Sequence, residues 1–240
     1  MRNLVNKNTI KGIDFPIKII SEFKSKKNTV YKGSLKKNNT EKECVIKLYE
    51  AKDNNKNNEM FWLDTLYNNG VKVPKLYYKG ENSLILEYIS GYLLIEEIEK
   101  YETEQNFNYY VLCSKIINWF DKFYKTTYSI KGSRYILYDI NLRNFIVAGD
   151  ELYGIDFEDC KEGNYEQDLG RLCAFILTYE PKFTPWKINF AKDIYTLFVD
   201  KLKLDVELSK QYLSEELDNI QKRRKICILD RKKDIIMNQW

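Results

Sequence analysis

The sequence predicts an α+β fold in two parts, a small antiparallel β-rich part with one helix and then a mainly helical part. Three observations predict it. The first ninety residues consist mostly of short β-forming runs separated by polar turns. From Glu104 to Lys125 apolar residues recur at helical spacing, and helical periodicity returns from about Tyr165 onward. The two parts are predicted to span residues 1–90 and 91–240.

The β-rich part is predicted to contain five strands and one helix. The helix is expected over Glu59–Asn69, because apolar residues recur there at helical spacing and Asn69-Gly70 is a typical helix end. The preceding polar stretch, Asp53–Asn58, is expected to be a loop. The strands are expected over Pro16–Phe23, Thr29–Leu35, Glu43–Tyr49, Lys75–Lys79 and Ser83–Ile89.

The second part is predicted to begin with one long helix over Glu104–Lys125. Three short β-like runs follow, at Tyr135–Tyr138, Phe145–Val147 and Leu152–Ile155. The remainder, from about Tyr165, is predicted to form three helices.

The chain of 240 residues contains no histidine, which excludes several classes of enzyme. Ser-His-Asp and Cys-His catalysis, histidine-ligated zinc and histidine-ligated haem all require one. Acid–base chemistry must therefore use Asp, Glu, Lys, Tyr or Cys. The formal net charge of +4 is too small to indicate a nucleic-acid partner by itself.

The five cysteines, at positions 44, 113, 160, 173 and 227, form no CxxC pair. Reduced, buried cysteines and a cytoplasmic location are therefore expected. The polar N-terminus indicates no signal peptide, and no apolar run is long enough for a membrane span. The basic stretch Gln221–Lys233 is interpreted as a solvated helix and tail, with an acidic partner as the alternative. The sequence carries no signal for an oligomeric state.

Lys47 and Glu59 are the first candidate site residues. Lys47 lies inside the predicted strand Glu43–Tyr49, after Val45 and Ile46, and Glu59 begins the next predicted helix. A lysine in a strand is commonly a solvent-facing edge residue, and a glutamate at a helix start commonly complements the helix dipole. The alternative is functional, with Lys47 directed at a phosphate and Glu59 holding it in an ion pair.

Asp139, Asn144 and Asp156 are the second group of candidates. Asp139 and Asn144 lie five residues apart in a short loop between β-like runs, and Asp156 ends the next apolar strand. A polar turn would account for the loop, but apolar residues flank it on both sides. Carboxylate and amide oxygens suit Mg2+. With Lys47 and Glu59, these residues supply the positioning and charge neutralisation that phosphoryl transfer needs.

In this order, the motifs resemble those of the protein-kinase-like superfamily. Val45-Ile46-Lys47 resembles its VAIK strand, and Glu59 its helix-C glutamate. Asp139 to Asn144 resembles the catalytic-loop D-x4-N, and Asp156-Phe157-Glu158 stands where kinases have DFG.

Within the superfamily, Ile155-Asp156-Phe157-Glu158 followed by Asp168-Leu169 resembles the aminoglycoside phosphotransferase and choline kinase branch. Only eleven residues separate Asp156 from Asp168, which is too few for the activation loop of a typical protein kinase. Leu137 occupies the position where this branch usually has histidine.

The resemblance implies a two-lobed protein-kinase-like fold and a phosphotransferase that uses ATP and Mg2+. The acceptor is expected to be the hydroxyl of a small molecule. Two alternatives stay open, an atypical Ser/Thr protein kinase without an activation loop and a catalytically inactive pseudokinase.

The resemblance also assigns roles to individual residues. Asp139 is expected to be the catalytic base, Asn144 and Asp156 the metal ligands, and Asp168 a structural support of the catalytic loop. The residues expected to bind ATP are Lys47, Glu59, Ser25, Asn28, Glu87 and Ile89.

Overall fold

The structure is a computed structural model that describes residues 5–6, 9–10, 17–25, 27–37, 40–50, 55–225, 228, 236 and 240. Its contacts divide the chain into two compact units. The N-terminal unit extends to Ser90 and also includes Asp156–Asp159, and the C-terminal unit comprises Gly91–Ile155 and the chain from Cys160 onward. The predicted division at residue 90 coincides with the end of the first segment of this unit, and the contacts add Asp156–Asp159 to it. The sheet-based first unit and the largely helical second unit confirm the predicted α+β, two-lobed fold class.

An antiparallel five-stranded sheet forms the N-terminal unit. The strands of this unit are β1 (Val5–Asn6), β2 (Thr9–Ile10), β3 (Ile17–Phe23), β4 (Thr29–Lys37), β5 (Thr40–Leu48), β6 (Leu76–Lys79) and β7 (Ser83–Glu87). The sheet has the order β3-β4-β5-β7-β6, and β1 pairs with β2 separately. The strand β5 is therefore central, bonded to β4 on one side and β7 on the other.

One face of this sheet carries a small apolar core. Because side chains alternate along a strand, Cys44, Ile46 and Leu48 of β5 share that face, and Lys47 points to the other. The buried residues of the cluster are Ile17, Leu35, Cys44, Ile46, Leu48 and Ile85.

The helix α1 spans Asn55–Asn68 and begins earlier than predicted. Residues Asn55 to Asn58 are helical, not a loop, because this polar stretch contains no proline or glycine that would stop the helix. The predicted C-terminal end is confirmed. Gly70 has a φ of +72°, and the N–H of Val71 donates to the carbonyl of Leu66, as in a glycine-capped helix end.

The C-terminal unit contains five short strands and five helices among its described residues. They are β8 (Tyr92–Leu93), α2 (Leu94–Thr103), α3 (Tyr110–Lys131), β9 (Tyr135–Ile136), β10 (Phe145–Ala148), β11 (Glu151–Gly154), β12 (Lys161–Glu162), α4 (Tyr165–Thr178), α5 (Pro185–Leu202) and α6 (Val206–Arg224). The three helices predicted after residue 165 are confirmed. The long helix predicted over Glu104–Lys125 is present as α3, but it begins only at Tyr110 and continues to Lys131, because the backbone turns at Gln105, whose φ is +49°. The preceding helix α2 was not predicted.

Two small sheets frame the segment between β9 and β10. The strand β10 pairs with β11 and β8, and β9 pairs with β12. Packed aromatic rings of Trp119, Phe120, Phe123 and Phe145 support β10 from α3. Gly154, at the end of β11, lies so close to Trp119 that a Cβ there would be 2.2 Å from the indole ring. This contact fixes β11 just before Asp156.

Four of the five cysteines lie in the described part of the chain, and all four are buried and free, as predicted. Cys227 lies outside the described residues, as does most of the basic stretch beyond Lys225. Within the described part of the chain, no helix combines the length and apolar character that crossing a membrane requires.

Candidate active site

Lys47 lies at the centre of a buried group of charges in the N-terminal unit. Its Nζ atom is 2.6 Å from Oε2 of Glu59 and 2.7 Å from Oδ1 of Asp156. The residue is only 8% exposed, and its strand is central, which excludes the solvent-facing edge position. Burial alone would lower the pKa of Lys47, but Glu59 and Asp156 outweigh it and raise that pKa, so the lysine stays charged.

Glu59 is held by a second residue that the sequence analysis did not select. It lies beyond the first turn of α1 and is fully buried, so it does not act as an exposed helix-dipole partner. The hydroxyl of Tyr49 donates a hydrogen bond to Oε2 of Glu59. Burial and the neighbouring Glu59 carboxylate raise the pKa of Tyr49, which keeps this donor protonated. Tyr49 lies directly after β5 and two residues beyond Lys47, so that both can reach one carboxylate.

Three carboxylates of the N-terminal unit meet near Lys47. Single oxygens of Glu59, Asp156 and Glu158 all lie within 4.8 Å of one another. The three carboxylates together carry more negative charge than the one ammonium group of Lys47 neutralises. Their oxygens are the ligand atoms that Mg2+ prefers. The donor set therefore fits a magnesium ion. Asp156 is the most suitable ligand, since its side chain is 32% exposed, against 2% for Glu59 and 6% for Glu158.

Asn28, one of the residues predicted to bind ATP, is hydrogen-bonded to Glu158. The Asn28 amide donates to Oε2 of Glu158 at 3.1 Å, and Asn28 is buried. Lys27 lies 3.1 Å from the other oxygen of Glu158, and the Asn58 amide donates to the Glu158 carbonyl at 2.9 Å. Three side chains thus hold the segment that starts at Asp156. The φ of Asp156 is +67°, a conformation typical of constrained functional positions.

The other predicted ATP-binding residues do not join this group through any hydrogen bond or ion pair between described residues. Ser25 is exposed, and Ile89 is half-buried. The Glu87 carboxylate accepts from the backbone N–H of Lys75 at 3.2 Å, and the Glu87 N–H donates to the Lys75 carbonyl. Glu87 and Lys75 therefore join the start of β6 to the end of β7.

Asp139 lies on a short, heavily bonded loop of the C-terminal unit. Its N–H donates to the carbonyl of Leu137, and its own carbonyl accepts from the Asn144 amide at 3.0 Å. Asn141 caps a single 3-10 turn over Leu142–Asn144 by accepting from the N–H of Arg143. The Asn144 carbonyl accepts from Ile155, which ties the loop to the chain just before Asp156. The side chain of Asp139 is exposed, while the backbone around it is fixed.

Asp168, in the first turn of α4, is completely buried beneath this loop. Its carboxylate accepts from the N–H groups of Leu137, at 2.9 Å, and Tyr138, at 3.2 Å, and from the hydroxyl of Tyr124, at 3.1 Å. Burial raises the pKa of Asp168 to about 6, although the three donors oppose the rise. The backbone of Tyr138 has a φ of +65°, so these bonds hold a conformation that is costly for a bulky residue.

The RIO domain family matches residues 8–180, a span that contains every candidate site residue. No curated protein matches the chain significantly. The family match supports the predicted protein-kinase-like superfamily and does not support the aminoglycoside phosphotransferase and choline kinase branch. Because the match covers well over half of the sequence, the chain belongs to the RIO domain family, an atypical protein-kinase-like family that binds ATP with Mg2+.

Proposed function

We propose that the protein is an atypical kinase that transfers the γ-phosphoryl group of ATP to a Ser or Thr hydroxyl of a protein. Membership of the RIO domain family supports ATP-dependent phosphoryl transfer and favours a protein acceptor over a small molecule. The observation that carries the proposal is the buried contact of Lys47 with both Glu59 and Asp156. A lysine fixed between two carboxylates is suited to bind nucleotide phosphates.

In the N-terminal unit, Lys47 contacts the phosphates and Glu59 holds Lys47 extended. Tyr49 fixes Glu59 by its hydroxyl hydrogen bond. Asp156 is the carboxylate of this unit that holds Mg2+. When bound, Mg2+ supplies neutralisation of the phosphate charge.

In the C-terminal unit, Asp139 orients the acceptor hydroxyl and takes up its proton. The hydroxyl oxygen forms its bond to the γ-phosphorus as the bond from that phosphorus to the β,γ-bridging oxygen breaks, and ADP leaves. Asn144 provides an amide oxygen for Mg2+, since its amide nitrogen is occupied by the carbonyl of Asp139. Asp168 keeps the loop in place through the Leu137 and Tyr138 N–H groups.

The direct test incubates the full chain with radiolabelled ATP and Mg2+ and measures autophosphorylation and transfer to a generic protein substrate. The Asp139→Asn variant should lower the transfer rate by about 10²–10⁴-fold, because it removes the proton acceptor. The matched control is Asp150→Asn, a fully exposed aspartate in the turn after β10. A failure of the chain to bind ATP at millimolar concentration would contradict the proposal.

Transfer to a small-molecule hydroxyl is the second candidate. The short segment between Asp156 and Asp168, occupied by β12 and the start of α4, favours it because a small acceptor needs no activation loop for docking. A panel of hydroxylated small molecules in the same assay separates the two candidates. The third candidate is an inactive pseudokinase, suggested by Leu137. Such a protein would bind ATP but hydrolyse it no faster than the Asp156→Asn variant does.

A further inference from the structure

The aromatic ring next to the proposed catalytic base carries two cations. Tyr138 directly precedes Asp139, and its ring centroid is 3.1 Å from Nζ of Lys161 and 4.0 Å from Cζ of Arg171. Arg171 also donates to the carbonyl of Tyr138 at 3.0 Å. Two positive charges are thus fixed beside the backbone of the residue that leads into Asp139.

A second ring, that of Tyr179 at the C-terminal end of α4, is bonded to the same loop and carries another pair of cations. The hydroxyl of Tyr179 donates to Oδ1 of Asn141 at 2.7 Å, and its ring centroid is 5.3 Å from Cζ of Arg143 and 5.5 Å from Cζ of Arg224. Burial raises the pKa of Tyr179; Arg143 and Arg224 oppose this rise, and Asp139 adds to it. Asp139 therefore lies within electrostatic range of this ring and its cations.

We call these residues the acceptor face; they are Tyr138, Arg143, Lys161, Arg171, Tyr179 and Arg224. Acidic groups offset part of its positive charge, since Glu180 lies within electrostatic range of Arg224 and the buried Asp168 within that of Arg171. Arg171 is 3.7 Å from Glu216, but Arg143, Lys161 and Arg224 form no ion pair with any residue that the structure describes. These three side chains are exposed and hence available to an incoming group.

We propose that the acceptor face binds an acidic segment of a protein, in which the Ser or Thr that receives phosphate is flanked by Asp or Glu. The inference rests on the proposed function and names its substrate class. Guanidinium groups bind carboxylates in a planar, two-bonded geometry, and three of the four cations are arginines. A cationic small molecule would be repelled from this surface.

A nucleic acid fits the acceptor face less well. Proteins that bind single-stranded nucleic acids combine a positively charged groove with aromatic rings on which the bases stack. Lys161 and Arg171 already cover the ring of Tyr138, and the hydroxyl of Tyr179 is engaged by Asn141. The attraction of opposite charges is therefore the main interaction that this face offers. A protein segment with carboxylates makes that interaction without needing to stack on a ring.

The test uses the full chain with ATP, Mg2+ and three peptides of equal length. Each contains one serine, flanked by glutamates, by alanines or by lysines. The KM for the glutamate peptide should be at least about tenfold below that for the alanine peptide, as expected when charge complementarity guides binding. The lysine peptide should be the poorest substrate.

Variants of the acceptor face sharpen the test. Arg143→Gln and Lys161→Gln should each raise the KM for the glutamate peptide several-fold, with a smaller change in kcat. Lys161→Glu should improve the lysine peptide relative to the glutamate peptide, a reversal that a merely structural role would not produce. The matched control is Lys192→Gln, an exposed lysine of α5, which should leave both constants unchanged.

The outcomes separate this inference from the proposed function. Equal phosphorylation of all three peptides, or preference for the lysine peptide, would overturn the acidic-acceptor assignment and leave the kinase function standing. The assignment would also be overturned if an unstructured RNA oligonucleotide inhibited peptide phosphorylation at concentrations below the KM for the glutamate peptide. Absence of phosphorylation together with absence of ATP binding would overturn both.

Discussion

Lys47 and Glu59 form an ion pair, with Nζ and Oε2 2.6 Å apart, that is almost closed to solvent: the side chains are 10% and 2% exposed. Pairs at a protein surface contribute little to stability, whereas the loss of one partner from a buried pair leaves an uncompensated charge. The pair therefore fixes the direction of Lys47 and not only its charge. This distinction underlies the first two predictions.

Replacement of Glu59 by glutamine should lower phosphoryl transfer by about 10²-fold, because a small misplacement of a positioned group can cost that much. Asp156 still contacts Lys47 in this variant, so the lysine remains charged but loses its second anchor. Steady-state kinetics with varied ATP measure the effect. The control is Glu50→Gln, an exposed glutamate just after Tyr49. Equal rates for the two variants would mean that Glu59 does not position Lys47.

Replacement of Tyr49 by phenylalanine should destabilise the fold by about 1–2 kcal/mol and lower the transfer rate less than Glu59→Gln does. It removes one buried hydrogen bond to Glu59 and leaves the ion pair intact. Urea unfolding and the same kinetic assay measure the two effects. Tyr92→Phe, at an exposed tyrosine, is the control and should change neither. An unchanged unfolding midpoint for Tyr49→Phe would contradict the role of this hydroxyl.

Two neighbouring residues that hold Glu158 should differ sharply in importance. Asn28→Ala should cost about 1–3 kcal/mol, because it leaves an oxygen of a buried carboxylate without its donor. Lys27→Ala should cost less than about 0.5 kcal/mol, because that side chain is 55% exposed and its ion pair is screened by water. Urea unfolding of both variants provides the comparison, and each serves as the control for the other. The reverse order would show that charge, not the buried amide, holds the segment.

Asp168 should give the protein a measurable pH dependence of stability. Its pKa is raised from 3.8 to about 6 on folding, so the folded state binds more protons than the unfolded state between these values. Its contribution to stability is thus greatest below pH 3.8 and falls as pH rises toward 6. The total change should be roughly 3 kcal/mol, since one unit of pKa corresponds to about 1.4 kcal/mol.

The measurement compares the free energy of unfolding of the native chain and of Asp168→Asn between pH 4 and 7. Asparagine does not titrate, so the difference between the two proteins isolates this carboxyl group. The free energy of unfolding of the native chain, relative to that of Asp168→Asn, should fall as pH rises to about 6 and then stay constant. A difference that is independent of pH would show that Asp168 keeps its ordinary pKa.

The sequence predicted the fold class and the chain order of the site motifs because these depend on local patterns. Lys47 and Glu59 were paired on the basis of motif order alone, and the structure brings their charged atoms together. Their roles toward ATP remain predictions. The helix over Glu104–Lys125 was misplaced because apolar periodicity runs on through Phe107, whereas the backbone turns at Gln105 with a positive φ. The spacing of apolar residues does not reveal a backbone turn of this kind.

Other parts of the site depend on tertiary contacts that a sequence does not display. Tyr49 could have been found from its two-residue spacing to Lys47 within the predicted strand Glu43–Tyr49. The contact of Asn28 with Glu158 spans 130 residues and follows no local rule. The cations around Tyr138 come from β12 and α4, so only the folded chain brings them to one ring.

The reactivity of the buried cysteines reports on the unfolding of each unit. Burial raises the pKa of the Cys44 thiol to about 11 and that of the Cys113 thiol to about 12, so almost no reactive thiolate exists at neutral pH in the folded chain. Alkylation by iodoacetamide must therefore wait for local or global unfolding. Cys44 belongs to the N-terminal unit and Cys113 to the C-terminal unit. Mass spectrometry of their labelled peptides would time the opening of each unit separately, with no engineered probe.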